Sequence, residues 1–410
     1  MVSTSTGVVT AALVVLPLSL GGAAPAGSLP VGGGDGSASL AAQVAVTGAR
    51  AGTLHPSFIQ AQRSAARVLS SMTLRQRVGE LLMMGTPATG SGTALAGDYI
   101  RRYHLGSVVL TGRSHEGRTH TRKVVRRLQS NTGAASTGGT RLIVAVDQEG
   151  GYVQVLQGPG FTRIPSALHQ GTHWSLGTIR KNAARYGTQL RRAGVNLDLA
   201  PVMDTVSRSF APYNAPIGYY DREFGYTAHD VTMRSNAFAG GLRDAGVGVT
   251  IKHFPGLGRV RGNTDTTSGV TDTVTRRHSA SIEPFAEGVR SGAEMVMMST
   301  AHYKRIAPNP AAFSSTIMRS MLRGDLGFTG VIISDDLGDA AQVQRWTPAQ
   351  RAVKFVGHGG NLILTVDPGT VPSMYAALLQ RARTDPSFRK KVNGSARHVL
   401  QAKARLGLIG

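Results

Sequence analysis

Four segments of the chain put ionisable side chains at the ends of apolar runs. Asp147 follows Leu142 to Val146 and opens Asp147-Gln148-Glu149-Gly150-Gly151; Asp204 lies just beyond Asn196 to Pro201; Lys252 and His253 sit in Val249 to Phe254; Asp335 and Asp336 end a run that begins at Val331. A carboxylate held at a strand end among cations and hydroxyl donors is placed to attack an electrophilic carbon or to stabilise a developing cation. Asp147 can accept hydrogen bonds from ligand hydroxyls, and the glycines after it let the backbone turn close to a ligand. Lys252 and His253 are neighbours, so on a strand they point to opposite faces unless the strand ends there and both reach its mouth. Pro255-Gly256-Leu257-Gly258 and Gly262-Asn263-Thr264-Asp265-Thr266-Thr267 then carry little apolar mass. They read as a mobile loop able to deliver a catalytic group on closure. Taken singly the segments have plainer readings, Asp147 as a turn cap and His253 as a packed, hydrogen-bonded histidine. Paired aspartates raise the question of a metal, but no second acidic cluster or metal-ligand histidine spacing accompanies them. No metal or organic cofactor is expected.

The elements that must position these groups can be counted. Eight short apolar runs alternate with helical patterns: Leu81 to Gly85, Ser107 to Leu110, Leu142 to Asp147, Asn196 to Pro201, Val249 to Phe254, Glu294 to Ser299, Val331 to Asp336 and Asn361 to Val366. Helical periodicity over Ile179 to Ala193, Thr232 to Ala245 and Ala280 to Gly292 fills intervals between them. Eight strand-plus-helix units predict an α/β fold, a single catalytic TIM (β/α)8 barrel. In a barrel the C-terminal strand ends converge on one face, which gathers Asp147, Asp204, Lys252, His253 and Asp335; an open sheet would scatter them along an edge.

Composition narrows the partners. The 410 residues are 41% apolar, enough for a sizeable core, and the absence of cysteine excludes disulfides, thiol nucleophiles and Cys-ligated metals. Lys and Arg number 45 against 23 Asp and Glu, a net charge of +22. Such a surface attracts polyanions, whether nucleic acid, anionic lipid or an anionic cell-wall polymer. The basic residues are scattered, only 8 of them Lys, and no nucleic-acid recognition motif appears. Nucleic acid is therefore not the expected partner. Residues 1–34 carry no charged side chain, and apolar Val8 to Leu20 precedes Gly21-Gly22-Ala23-Ala24-Pro25-Ala26, although no Lys or Arg comes before it. Residues 1–26 read as a signal peptide, too short for a membrane span, 27–55 as a flexible Gly/Ala/Ser-rich spacer, and 56–410 as the barrel domain with C-terminal helices. A secreted protein is expected, its charge suited to an anionic cell wall, with no membrane span once the leader is removed.

In this order the segments resemble the glycoside hydrolase family 3 N-terminal barrel domain, in particular its NagZ-like β-N-acetylglucosaminidase branch. The likeness runs from about Met72 to Pro368, through Leu105-Gly106-Ser107, the Asp147 to Gly151 segment, Asn196 to Asp204, Arg222-Glu223-Phe224-Gly225, the Lys252 to Gly256 segment and Ser334 to Leu337. It implies removal of a terminal β-linked N-acetylglucosamine, or a related β-hexosaminide, from cell-wall, muropeptide or chitin-type oligosaccharides. Asp335 would be the nucleophile of a covalent glycosyl-enzyme intermediate. Asp147, Arg222, Lys252 and His253 would hold sugar hydroxyls, with Asp204 and Asp336 as supporting carboxylates.

The chain also departs from that pattern. The family's loop ends in Asp-Ser-His, whose histidine is the acid/base and whose aspartate orients it; here Asp265-Thr266-Thr267 stands there, and a threonine hydroxyl is far too weak an acid for the task. Leu257 replaces a second loop histidine, while Tyr152 and Val155 replace arginines, which argues against the usual muropeptide ligand. Three outcomes are open. Asp265 serves as acid/base if closure desolvates it; His278 or Glu283 is delivered instead; or the protein binds glycan or cell wall without efficient hydrolysis.

Overall fold

The computed structural model describes residues 56–409, so the proposed leader and spacer lie outside the described residues. Eight barrel strands follow the eight apolar runs: β1 (Leu82–Pro87), β2 (Ser107–Thr111), β3 (Ile143–Val146), β4 (Leu197–Asp198), β5 (Gly248–Phe254), β6 (Met295–Met298), β7 (Val331–Ser334) and β8 (Ile363–Thr365). Each pairs in parallel with the next, and β8 pairs with β1 through Leu82 and Ile363. The ring closes where Ile333 bridges Leu362 and the Ser334 N–H donates to the Leu362 carbonyl at 3.0 Å. This is the (β/α)8 barrel.

The strands stop short of several apolar runs, β4 most of all. Past it, a side chain takes over part of the ladder: Asp198 Oδ1 accepts the Gln148 N–H at 3.0 Å, and Pro201 has no N–H to offer. The helices, conversely, begin earlier than their apolar periodicity because their caps lie upstream. Ser175 accepts the Thr178 N–H to start Leu176–Ala193, and Thr227 accepts the Asp230 N–H to start Ala228–Asp244. The third pattern divides into a 3-10 turn, Ala280–Ile282, and a helix, Glu283–Arg290, with Pro284 at its start.

Alternation along the strands separates two layers of core. Met83, Val109, Ile143, Ala145, Met295, Met297, Val331 and Ile333 belong to the cluster inside the barrel. Their neighbours Met84, Val108, Val144, Val296 and Ile332 pack outward with the helices. The final helix, Pro386–Arg405, closes the bottom: Val399 and Ala402, with Leu408 beyond it, join the inner cluster. Its Lys403 is fully buried, 2.7 Å from Glu80 Oε1 and 3.0 Å from Thr140 Oγ1. The barrel is sealed at that end, which leaves the opposite face for a ligand. Among the described residues no helix is long and apolar enough to cross a membrane.

Candidate active site

The same period of two sends strand-end side chains into the mouth. Asp147 is in phase with Ile143 and Ala145, and Asp335 with Val331 and Ile333, so both carboxylates continue inward-facing rows. Lys252, in β5, reaches the Asp147 row: its Nζ lies 2.5 Å from Asp147 Oδ1 and 2.7 Å from Glu149 Oε1. His253 enters the mouth as well, where its Nδ1 lies 2.7 Å from Asp204 Oδ2. The peptide between Lys252 and His253 is cis. Neither side chain is directed out of the barrel.

Glu149 is the hub of this network, a role the sequence reading did not assign. It sits in the segment already singled out through Asp147, and that spacing was the available signal. Arg222 grips it with two parallel bonds, Nε to Oε2 at 2.9 Å and Nη2 to Oε1 at 2.7 Å, and donates a third to the Pro216 carbonyl at 2.7 Å. Burial pushes the Glu149 carboxyl up, but the Arg222 and Lys252 charges outweigh it and hold the group at about 2. Burial likewise opposes the charge on Lys252, yet Asp147 and Glu149 keep it above the ordinary lysine range. Two cations are thus fixed in ionised form at the foot of the mouth. Asp147 alone of this group is substantially open, its side chain 34% exposed. Below them burial raises Asp198 to about 8, although it accepts the Gln148 N–H.

Asp204 fixes the root of the loop that follows β5. Besides His253 it takes the Leu257 N–H at 2.7 Å, and Leu257 itself is buried. The loop, expected to be mobile, is fastened across the mouth. The Ala341 N–H donates to the Asp265 carbonyl at 3.0 Å and the Gln342 N–H to the Thr264 carbonyl at 3.1 Å. The Gln342 side chain then pairs with the Val270 backbone, accepting its N–H at 2.8 Å and donating to its carbonyl at 3.0 Å. Segments following β5 and β7 are stitched together, which brings Asp265 within electrostatic reach of Asp335.

Asp265 is exposed at the rim of the mouth, yet the protein crowded around its carboxyl strips enough water to raise it, with the Asp335 charge adding to the effect, to about 6. Burial raises Asp335 too, opposed by the nearby His253 charge and by the Asp336 N–H donated to Asp335 Oδ1 at 3.0 Å. Cations favour the charged form of both, but Asp335 also has the backbone donor on its side while Asp265 has the Asp335 charge against it, so the two carboxyls differ in proton affinity. Asp336 points away into the turn, where it accepts the N–H groups of Gly338, Asp339, Ala340 and Val366.

The other acid/base candidates are elsewhere. His278 is exposed and close to Asp325, whose carboxyl it helps to lower, and Glu283 is exposed at the start of an outer helix. Thr267 is exposed on the outer part of the loop, its N–H donating to the Asn263 carbonyl at 2.9 Å. Among the described residues no three His, Asp or Glu side chains are grouped to hold a metal ion.

Residues 73–402 match the family described as glycosyl hydrolase family 3 N terminal domain. A β-hexosaminidase of Xanthomonas euvesicatoria pv. vesicatoria is 31% identical over 309 residues, covering 74% of this chain and 88% of that protein. The crystal structure of a β-N-acetylhexosaminidase from Beutenbergia cavernae superposes with a TM-score of 0.79 at 47% identity, over 81% of this chain and 98% of that one. A family 3 β-N-acetylglucosaminidase from Paenibacillus sp. gives a TM-score of 0.73 at 27% identity, over 82% of this chain and 63% of that one.

Proposed function

The chain belongs to glycosyl hydrolase family 3 and is a glycosidase; from that premise we propose that it removes a terminal β-linked N-acetylglucosamine, or a closely related β-hexosaminide, by double displacement. Asp335 attacks the anomeric carbon while the leaving oxygen takes the proton of Asp265. A water then attacks the same carbon, gives its proton back to Asp265 and releases Asp335 from its ester. Asp147, Arg222, Lys252 and His253 orient the sugar before attack. The first three form a preorganised cluster of one open acceptor and two permanent cations, so little rearrangement accompanies binding.

The observation that carries this reading is the stitched loop. Backbone bonds from Ala341 and Gln342 hold Asp265, still open to solvent, near Asp335, where partial desolvation and the Asp335 charge raise its carboxyl to about 6. Two carboxylates of unequal proton affinity at one mouth are what an acid and a nucleophile require. No imidazole is needed for that division of labour, which answers the substitution at Thr267.

The test is mass spectrometry after incubation with a slow fluorinated N-acetylglucosaminide, together with Asp335→Ala turnover of an aryl β-N-acetylglucosaminide. A covalent adduct on the Asp335 peptide and loss of chromophore release are expected. Tight binding without adduct or turnover would instead identify a non-catalytic glycan-binding protein. Residence outside the cell, beside an anionic wall, is proposed on the apolar leader and the net charge of +22. Cell fractionation of the full chain, with and without residues 1–26, checks it.

A further inference from the structure

The exposed aromatic side chains are distributed very unevenly. Among residues 59–409 only three aromatics are exposed, Tyr152 at 63%, Tyr213 at 61% and Tyr219 at 59%, and all three lie on the loops that leave β3 and β4 at the mouth. Rings this open leave apolar area in water, and their confinement to one rim calls for an occupant.

Tyr152, Tyr220 and Tyr219 form a continuous row. Ring centroids are 5.8 Å apart between Tyr152 and Tyr220 and 5.0 Å between Tyr220 and Tyr219, with planes at 65° and 85°. Edge-to-face contacts of this kind prop each ring in a fixed attitude. Tyr213 stands apart, with the Arg261 guanidinium 5.5 Å over its ring.

The row is carried by the same two loops as Glu149 and Arg222 of the charged cluster. Tyr152 follows Glu149 by three residues, across Gly150 and Gly151, whose φ values of 106° and 54° suit glycine. Tyr220 precedes Arg222 by two residues. Buried Asn214 organises the other side: its Oδ1 accepts the Ile217 and Gly218 N–H groups, and its Nδ2 donates to the Leu257 and Val260 carbonyls at 2.8 and 2.7 Å. The Tyr219 N–H donates to the Asn214 carbonyl at 3.0 Å. One side chain thus ties the tyrosine loop to the loop that carries Asp265.

We propose that Tyr152, Tyr220 and Tyr219 are a binding ledge for the leaving-group side of the substrate, and that its ligand is a neutral, gluco-configured sugar residue of a β-linked oligosaccharide. The terminal sugar is taken by the buried cluster, so any further residue must lie outside it, against the rim. A pyranose ring with equatorial substituents offers axial C–H groups on both faces, a flat apolar surface that suits an aromatic plane. A peptide has no such repeated plane. The proposal rests on the hydrolase reading above, and its test keeps the two apart.

The test compares two substrates in Tyr152→Ala, Tyr219→Ala and the double variant. One is N-acetylglucosamine trisaccharide; the other is trifluoroethyl β-N-acetylglucosaminide, whose leaving group has no ring to stack. The double variant should lose about tenfold in kcat/KM on the trisaccharide, chiefly through KM, and less than twofold on the trifluoroethyl glycoside. Equal losses on both substrates, or none on either, overturn the ledge. Should the unaltered protein turn over neither substrate, the hydrolase reading fails, and titration of its tyrosine fluorescence decides the ledge separately. The double variant should then bind trisaccharide several-fold more weakly while N-acetylglucosamine itself binds unchanged; unchanged trisaccharide binding overturns the proposal.

Discussion

Two lysines are buried at opposite ends of the barrel, Lys252 at the mouth and Lys403 at the floor, with 2% and 0% of their surface exposed. Burial disfavours the charge on both. At the mouth Asp147 and Glu149 overrule it, and Lys252 is raised above its ordinary value. At the floor Glu80 opposes burial without cancelling it, and Lys403 is lowered. The difference lies in the number of partners. Lys403 belongs to a one-to-one pair completed by Thr140, inserted by the last helix where no water reaches. Lys252 belongs to a cluster with spare acceptors, one of which, Asp147, is open to a ligand. Equal burial therefore gives a structural clamp at one end and a charged, ligand-ready group at the other.

Replacing each lysine by methionine should separate those roles. Lys403→Met leaves the Glu80 carboxylate buried without a cation, a loss of about 3–5 kcal/mol for a broken buried pair. Denaturant titration should show that loss while kcat per folded molecule stays the same. Lys252→Met leaves Glu149 with Arg222 and Asp147 with solvent, so the stability cost should be at most about 1–2 kcal/mol. Its effect should be on kcat/KM, a fall of about 100-fold if a charge-assisted hydrogen bond to substrate worth ~1.5–3 kcal/mol is lost. If Lys403→Met cut turnover, or Lys252→Met unfolded the protein, the contrast would be broken.

Much of the floor-to-mouth arrangement was legible in the sequence because it follows short-range rules. Alternation fixes which residues of Val331 to Asp336 face inward, and eight apolar runs with helical spacing leave few topologies besides the closed ring. Asp147, Lys252 and His253 stood out because ionisable residues are rare at the end of buried strands. Glu149 did not, since its importance comes from Arg222, 73 residues away, and no local pattern encodes that pairing. The position of the loop was not legible for the same reason. Its glycines and lack of apolar mass suggest mobility, but Gln342 and Ala341, after β7, supply the bonds that hold it.

That clamp extends the comparison to a smaller effect, since the mouth depends on a loop where the floor depends on a helix. Gln342→Ala removes two hydrogen bonds to Val270 of about 1 kcal/mol each, which should lower kcat/KM about 30-fold on an oligosaccharide. An activated aryl glycoside, which needs little protonation, should be much less affected. Equal losses on the two substrates would show that Gln342 supports the barrel and not the position of Asp265.

The smallest effect is read from pH alone and uses the unaltered protein. Asp265, though exposed, is raised to about 6 by partial desolvation and by the charge on Asp335. Its acid form is populated below that value and lost as pH rises through it, so kcat/KM on an oligosaccharide should fall above about pH 6, at most tenfold per unit. Once Asp335 is esterified it carries no charge, and one cause of the raised value disappears. Asp265 then ionises at lower pH, in the form needed to take a proton from water. For an aryl substrate whose slow step is breakdown of that ester, kcat should therefore rise with pH, with a midpoint below 6. Opposed slopes on the two substrates are the signature of one carboxyl working as acid and then as base; parallel profiles would assign the proton to another group. No such inversion is open to the pair at the floor, because nothing in the reaction changes the charge beside Lys403.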